Sequence, residues 1–282
     1  MTAPRWIATR PLSAGVLAAV FTCLSPAATR AQATQTYEPL FAQPGKDVVW
    51  VPTPEPMVAL MLDMAKVTAG DLVVDLGSGD GRLVIAAAKR GARARGVEFN
   101  PDMVQLARRR AIEAGVKDRA TFVEGDMFAA DVSDATVLAL FLLTENMKRL
   151  QPTFLALRPG TRIVSNTFGI PEWPADERIT RPDCSAWCTA LLWIVPAQVH
   201  GAWQIANGPR LEFDQHFQKV TGRLAGPVGS SPIQGGTIRG AEITFTIGDE
   251  SWQARLEGDR LVGTRDERGR VTSWTATRIA TR

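Results

Sequence analysis

The chain has 282 residues, 45% of them hydrophobic and 22% charged, enough for one large domain or two modest ones. That composition excludes disordered, collagen-like and disulfide-stapled miniature classes. Its 32 basic and 29 acidic residues give a net charge of +3, and Arg5, Arg10 and Arg30 account for the excess ahead of the first acid. The balanced remainder argues against a strongly basic nucleic-acid surface.

Residues 1–33 have the order of a signal peptide. Arg5 and Arg10 precede an apolar stretch from Leu12 to Ala28, and Ala31-Gln32-Ala33 supplies a small-x-small cleavage pattern. The stretch is interrupted by Ser13, Gly15 and Pro26, and no apolar run of spanning length follows residue 34. The mature chain is therefore expected to be exported, periplasmic or secreted, with no transmembrane span. Cys184 and Cys188 can close a small disulfide loop or remain two free thiols. His200 and His216 lie apart from both, so no metal site is expected.

From residue 54 to about 165, short apolar runs alternate with helix-length segments, the pattern of a parallel sheet with crossover helices. The runs at 71–76, 94–99, 120–125, 135–143 and 161–168 are five predicted strands. Val58, Met61, Leu62 and Ala65 recur at helical spacing after Pro56, as do Met147, Leu150, Phe154 and Leu157. Pro101 opens a further helix, on which Arg108-Arg109-Arg110 reads as a solvated outer face.

Beyond Pro196 the period changes to two. Leu211 and Phe213, then Ile243, Phe245 and Ile247, then Trp252, Ala254 and Leu256 alternate with polar residues. GRLAG at 222, GTIRG at 236 and GDRLVG at 258 are expected to place glycine turns between these strands, as in an antiparallel meander or small barrel. The division predicted is 1–33 signal peptide, 34–198 α/β domain and 199–282 small all-β domain. The β domain contains no catalytic grouping, which favours packing or recognition.

The chemistry is concentrated in Val74-Asp75-Leu76-Gly77-Ser78-Gly79-Asp80-Gly81-Arg82, where the first strand ends. A glycine-rich turn there lets backbone approach a ligand at the carboxyl edge of the sheet. The spacing is G-x-G-x-G, not the dinucleotide fingerprint G-x-G-x-x-G. Asp75 and Asp80 would repel a diphosphate and attract the ammonium and sulfonium of S-adenosylmethionine. Glu98 ends the second strand, 21 residues after Gly77, where a carboxylate can accept from both ribose hydroxyls. Asp126, after the third strand, can accept from an adenine amino group while Met127 packs on the ring.

VVDLGSGDGR, GVEFNPD and EGDMF together resemble the class I S-adenosylmethionine-dependent methyltransferases. Val51-Pro52-Thr53-Pro54 and the stretch from Leu142 to Pro152 bring the resemblance nearest to a protein-lysine methyltransferase subgroup, related to mitochondrial enzymes that methylate membrane-protein partners. The resemblance spans roughly residues 48–195 and implies a Rossmann-like sheet of seven strands, the last two near 176–182 and 189–195. It assigns Asp75, Gly77, Gly79, Glu98 and Asp126 to the cofactor, with Ser78, Asp80 and Gly81 in the same loop and Thr53 over the methionine end. No amine-binding tetrapeptide follows the fourth strand, which leaves Thr144, Glu145 and Asn146 as candidates for orienting a nucleophile, Asn146 equally as a helix cap. The expected activity is methyl transfer from S-adenosylmethionine to a protein lysine. A small-molecule acceptor, or a non-catalytic binding protein on the same fold, are the alternatives, and no nucleic-acid partner is expected. Cofactor supply makes a cytoplasmic location the alternative to export.

Overall fold

The structure, a computed structural model, describes residues 1–3 and 37–280 apart from residue 228. Nearly all of the expected signal segment lies outside the described residues.

The α/β part opens with α1 (Glu55–Met64), followed by β1 (Leu72–Leu76), α2 (Arg82–Lys89), β2 (Arg93–Glu98), α3 (Pro101–Glu113) and β3 (Ala120–Glu124). It continues with β4 (Val137–Leu140), α4 (Thr144–Leu155), β5 (Arg162–Asn166), β6 (Glu177–Thr180) and β7 (Thr189–Ile194). The seven strands form one sheet in the order β3-β2-β1-β4-β5-β7-β6. β1 through β5 run parallel, while β7 is antiparallel to both β5 and β6. This is the Rossmann-like methyltransferase sheet expected from the motifs. Strand order reverses between β2-β1 and β4, so a crevice opens at the carboxyl ends of these strands.

Each face of the sheet is covered because its central strands β1, β4, β5 and β7 are buried along nearly their whole length and cannot face water. Met57, Met61 and Leu62 of α1, Val84 of α2 and Val104 of α3 seal one face. Met147, Leu150 and Phe154 of α4, with Trp173 and Trp193, seal the other. The apolar run 135–143 is longer than β4, which pairs with its neighbours only over Val137–Leu140. An apolar run does not mark its own end, and here the chain leaves the ladder at Phe141 to reach the crevice. Arg108, Arg109 and Arg110 are not a merely solvated face. They donate to Phe122 O, Tyr37 O and the carboxylates of Asp80 and Glu38, so α3 is clipped to β3 and to the segment that precedes α1.

Eight further strands make a closed antiparallel barrel: β8 (Gly201–Ile205), β9 (Arg210–His216), β10 (Lys219–Gly226), β11 (Gly229–Arg239), β12 (Glu242–Ile247), β13 (Glu250–Glu257), β14 (Arg260–Glu267) and β15 (Arg270–Arg278). Closure comes from pairing of β15 with β8. Trp203, Phe213, Phe245, Trp252 and Trp274 fill the interior, as side chains do in eight-stranded barrels. The three glycine units do not simply mark turns. Each puts one glycine at a hairpin end and the other inside a strand, where a Cβ on Gly263 would lie 1.9 Å from Gln253 O. The in-strand glycines permit the close strand approach that a small barrel needs.

The barrel is bonded to the sheet domain. Phe217, in the β9–β10 turn, stacks on Trp173 with centroids 5.5 Å apart and planes at 4°, and Gln218 Nε2 donates to Pro174 O at 2.7 Å. Ala197 N donates to Gly240 O at 2.7 Å.

At the amino ends of the strands, Asp71 joins three of them. It accepts from Thr68 N at 2.8 Å, from Thr136 Oγ1 at 2.8 Å and from the Arg162 guanidinium. Burial pushes its carboxyl up, and these three partners outweigh that and hold it below the usual range. Its stabilising effect is present above the unfolded carboxylate pKa of about 3.9 and is lost as pH falls through the lower folded value. We expect Asp71→Asn to cost about 1–3 kcal/mol at neutral pH, read by urea denaturation, and to flatten the acid limb of the stability profile. An unchanged midpoint and acid limb would refute the assignment.

Candidate active site

The loop from β1 to α2 is held by β2. Gly77 N and Ser78 N both donate to Val97 O, at 2.8 and 3.0 Å. Gly79 N donates to Glu98 Oε2 and Asn100 N to Glu98 Oε1, each at 2.9 Å. Asn100 Oδ1 in turn accepts from Asp102 N and caps α3. Gly79 has φ +52°, and a Cβ there would lie 2.7 Å from Trp50 Nε1. The indole of Trp50 therefore rests on the loop only because position 79 lacks a side chain.

Not every residue of the loop faces the crevice. The Ser78 hydroxyl is turned toward Gly96, lying 2.5 Å from where a Cβ of that residue would be. Gly81, at φ +81°, abuts the Phe122 ring and Ala107, so it serves the packing of α2 and α3.

The four acids have four environments. Asp80 is buried but held by Arg82, whose Nη2 lies 2.6 Å from Oδ2, and by Arg110. Burial raises its carboxyl, and the two guanidiniums outweigh this and lower it. Its charge is thus answered within the protein, which removes Asp80 from the electrostatic attraction that the sequence assigned to it. Glu98 has one backbone N–H on each oxygen, leaving a carboxylate with about two of four acceptor positions for a ligand. Asp126 accepts from Phe128 N at 2.9 Å and from Lys46 Nζ at 2.6 Å, with Lys46 also 4.8 Å from the centroid of the Phe99 ring. Lys46 and then the Phe128 amide lower its carboxyl.

Asp75 differs from the rest. It is 3% exposed, and among the described residues neither a hydrogen bond nor a neighbouring cation offsets its burial. Burial, then the charges of Glu98 and Asp80, push its carboxyl well above the usual range. A buried carboxylate without a partner is costly, and a cation in front of it removes the cost.

Two small cavities flank these groups. One of about 90 Å³ is lined by Lys46, Glu98, Phe99, Asp126 and Met127. The other, of about 40 Å³, is lined by Thr53, Asp75, Ser78, Gly79 and Asp80. Trp50, Val51, Gly77 and Phe141 line both. A carboxylate lacking a cation beside one cavity, and a carboxylate with spare acceptor positions plus Phe99 and Met127 beside the other, fit a ligand that carries an ammonium at one end and a diol and flat base at the other.

Comparison with known proteins agrees with this geometry. The sequence profile of the ANTKMT methyltransferase domain matches residues 75–177. A protein-lysine N-methyltransferase of Saccharolobus islandicus (strain REY15A) is 42% identical over 151 residues, which cover 52% of this chain and 94% of that protein. The chain belongs to this methyltransferase family. It is a class I S-adenosylmethionine-dependent methyltransferase. The adenine nucleotide translocase lysine N-methyltransferase of Mus musculus is 39% identical over 103 residues, 36% of this chain, and the chain spans less than half the length of that protein, 45%. A crystal structure described as an RNA methyltransferase from Salinibacter ruber with S-adenosyl-L-homocysteine is 44% identical, with a TM-score of 0.50 over 53% of this chain and 96% of that one.

Thr144, Glu145 and Asn146 form the first turn of α4 and line neither cavity; the cap position is Leu143, so Asn146 is not the cap. The sequence reasoning missed Lys46, Trp50, Phe99 and Phe141. Phe99 and Phe141 fell inside the runs 94–99 and 135–143 predicted as strands; Phe99 carried a usable signal, its place directly after the site acid Glu98, and Phe141 carried none. Lys46 and Trp50 carried none, because their segment has no periodicity.

Because Asp75 has its pKa raised by folding, its contribution to the stability of the cofactor-free methyltransferase is full below the unfolded pKa and lost as pH rises through the folded one. Asp75→Asn is expected to stabilise the cofactor-free protein at neutral pH while weakening S-adenosylmethionine binding about tenfold or more. Wild-type affinity should rise with pH through the Asp75 titration, and the variant should not follow it. Calorimetry and thermal melts across pH read both; a variant that binds as wild type rejects the role.

Proposed function

We propose that this methyltransferase modifies a lysine side chain of a protein, and that Asp75 and Glu98 divide recognition of the cofactor between them. The observation that carries the reading is the buried Asp75 carboxylate without a protein partner, beside a loop whose position Glu98 sets. Bound S-adenosylmethionine supplies a methyl group already activated by its sulfonium charge. Asp75 takes the ammonium, with Thr53 closing that end. Glu98 accepts from the ribose hydroxyls without releasing Gly79 and Asn100. Phe99 and Met127 pack on the base, and Asp126 accepts from its amino group as Lys46 gives way. Thr144, Glu145 and Asn146 line neither cavity, so the protein's contribution is positioning and exclusion of water, and the lysine attacks as the neutral amine once its ammonium proton has passed to solvent. Support for a lysine acceptor comes from the names of the relatives in Saccharolobus islandicus and Mus musculus.

The description of the Salinibacter ruber protein gives a second reading, an RNA acceptor. Incubating the full chain with labelled cofactor and cell extract separates the two. We expect label in material that resists ribonuclease, yields to protease and gives methyl-lysine on hydrolysis. Ribonuclease-sensitive label would reverse the assignment. Glu98→Ala should weaken cofactor binding by about 1–3 kcal/mol and reduce labelling in proportion, whereas unchanged affinity would show that the diol binds elsewhere.

For location we propose export. The amino-terminal charge order supports it, and so does the disulfide between Cys184 and Cys188, a bond that persists in oxidising compartments. Mass spectrometry of the mature amino terminus is expected to find Thr34 outside the cytoplasm. An intact Met1 or Thr2 terminus in the cytosolic fraction contradicts export. Among the described residues no helix is long and apolar enough to cross a membrane.

A further inference from the structure

Four aromatic rings form a row at the carboxyl edge of the sheet. Phe141, the first residue beyond β4, stacks on Phe168 with centroids 5.9 Å apart and planes at 21°. It meets Trp187 edge-on at 6.0 Å and 68°. Phe41 continues the row 6.4 Å beyond Trp187 and is 65% exposed. Phe141, Phe168 and Trp187 are each half-buried, and none of the four belongs to the cores on the two faces of the sheet. Burial for stability therefore does not account for them.

Two constraints hold the row open. Trp187 has φ +54°, a conformation that a bulky residue adopts only when its surroundings impose it, and it lies inside the loop closed by the Cys184–Cys188 disulfide. Phe168 follows Thr167, which has φ +64°, and its carbonyl accepts from Ser165 Oγ at 2.8 Å. The same loop after β5 carries Trp173 and Pro174, on which the barrel sets Phe217 and Gln218. The disulfide thus constrains the loop that carries Trp187, and the barrel rests on the loop that carries Phe168.

The geometry points to this row as the platform that receives the acceptor, with Phe141, Phe168 and Trp187 binding the alkylammonium side chain of a lysine. The inference rests on the methyltransferase reading and adds what holds the second substrate. Phe141 lines both the cavity that Asp75 faces and the cavity that Glu98 faces. Whatever the cofactor carries between its ammonium and its ribose, which is the sulfonium, comes beside this ring. Aromatic faces attract an alkylammonium and cover its stem, and they do so without placing a fixed cation next to the sulfonium. In the same hairpin Arg181 is paired with Asp183, so it adds no free cation for a phosphate backbone.

The platform is tested on the full chain by saturation-transfer NMR with Nα-acetyl-lysine methylamide, using the norleucine analogue as an uncharged control. S-adenosylhomocysteine affinity is measured on every variant. Trp187→Leu and Phe168→Leu should weaken the lysine probe about two- to fivefold with cofactor affinity unchanged. Trp187→Phe should restore binding, and Cys184→Ser combined with Cys188→Ser should weaken it as Trp187→Leu does. The norleucine analogue should bind more weakly than the lysine probe. Equal lysine affinity in wild type and Trp187→Leu overturns the proposal. So does absence of lysine binding in wild type, or Trp187-dependent binding of an oligoribonucleotide in its place. Failure of the wild-type chain to bind S-adenosylhomocysteine would instead reject the methyltransferase reading, and the lysine titration would still judge the platform.

Discussion

Asp75, Asp80 and Glu98 lie together where β1 and β2 end, and three like charges in a region of low dielectric must each be answered. The protein answers two. Asp80 receives Arg82 and Arg110, and Glu98 receives the amides of Gly79 and Asn100. Asp75 is left at the centre with neighbours that only raise its pKa. The bonds that satisfy the first two also shape the site. The Asp80 pairs tie α2 and α3 together at the loop, and the Glu98 pairs set the height of Gly79. Solving the repulsion inside the protein thus builds a cradle with one unanswered charge, and a ligand bearing a cation completes it.

The same division explains how far the sequence could be read. The sheet was legible because strands buried on both faces are apolar throughout, and the barrel because strands with one buried face alternate. The antiparallel β6 was visible only through resemblance. Its residues Glu177 to Thr180 are exposed and carry no period that would mark a strand. Among the acids, position at a strand end identified the set but not the partners. Asp75 and Asp80 look equivalent in VVDLGSGDGR, and only the fold shows that Arg110, 30 residues on, reaches Asp80. Arg108, Arg109 and Arg110 look solvated for the same reason, since their acceptors on β3 and near Tyr37 are distant in sequence. Short-range pattern reports which face a residue occupies, and long-range pairing decides what its charge does.

The barrel is foreign to the family profile, whose match ends at residue 177, yet it is not a passenger. Phe217 and Gln218 seat on the loop after β5, and that loop carries Phe168 at the crevice. Loops at the carboxyl edge are where this fold places substrate groups, and such loops are mobile unless something restrains them. Here the restraints come from outside the sheet: a stacked ring and a side-chain hydrogen bond from the barrel on the Phe168 loop, a disulfide on the Trp187 loop.

The segment from Gln43 to Val51 closes the remaining side. It lines the larger cavity along its length, with Trp50 on Gly79 and Lys46 on Asp126. The same cavity is lined by Glu98, Phe99 and Met127, so a ligand entering it meets the Lys46–Asp126 pair. That pair is partly exposed, and an exposed ion pair is worth little in water, so it is a weak hold on the Asp126 carboxylate. In the proposed binding mode recognition rests on groups that only the full cofactor presents together, an ammonium for Asp75, a diol for Glu98 and a base for Phe99 and Met127, and a ligand lacking the ammonium leaves Asp75 unpaired.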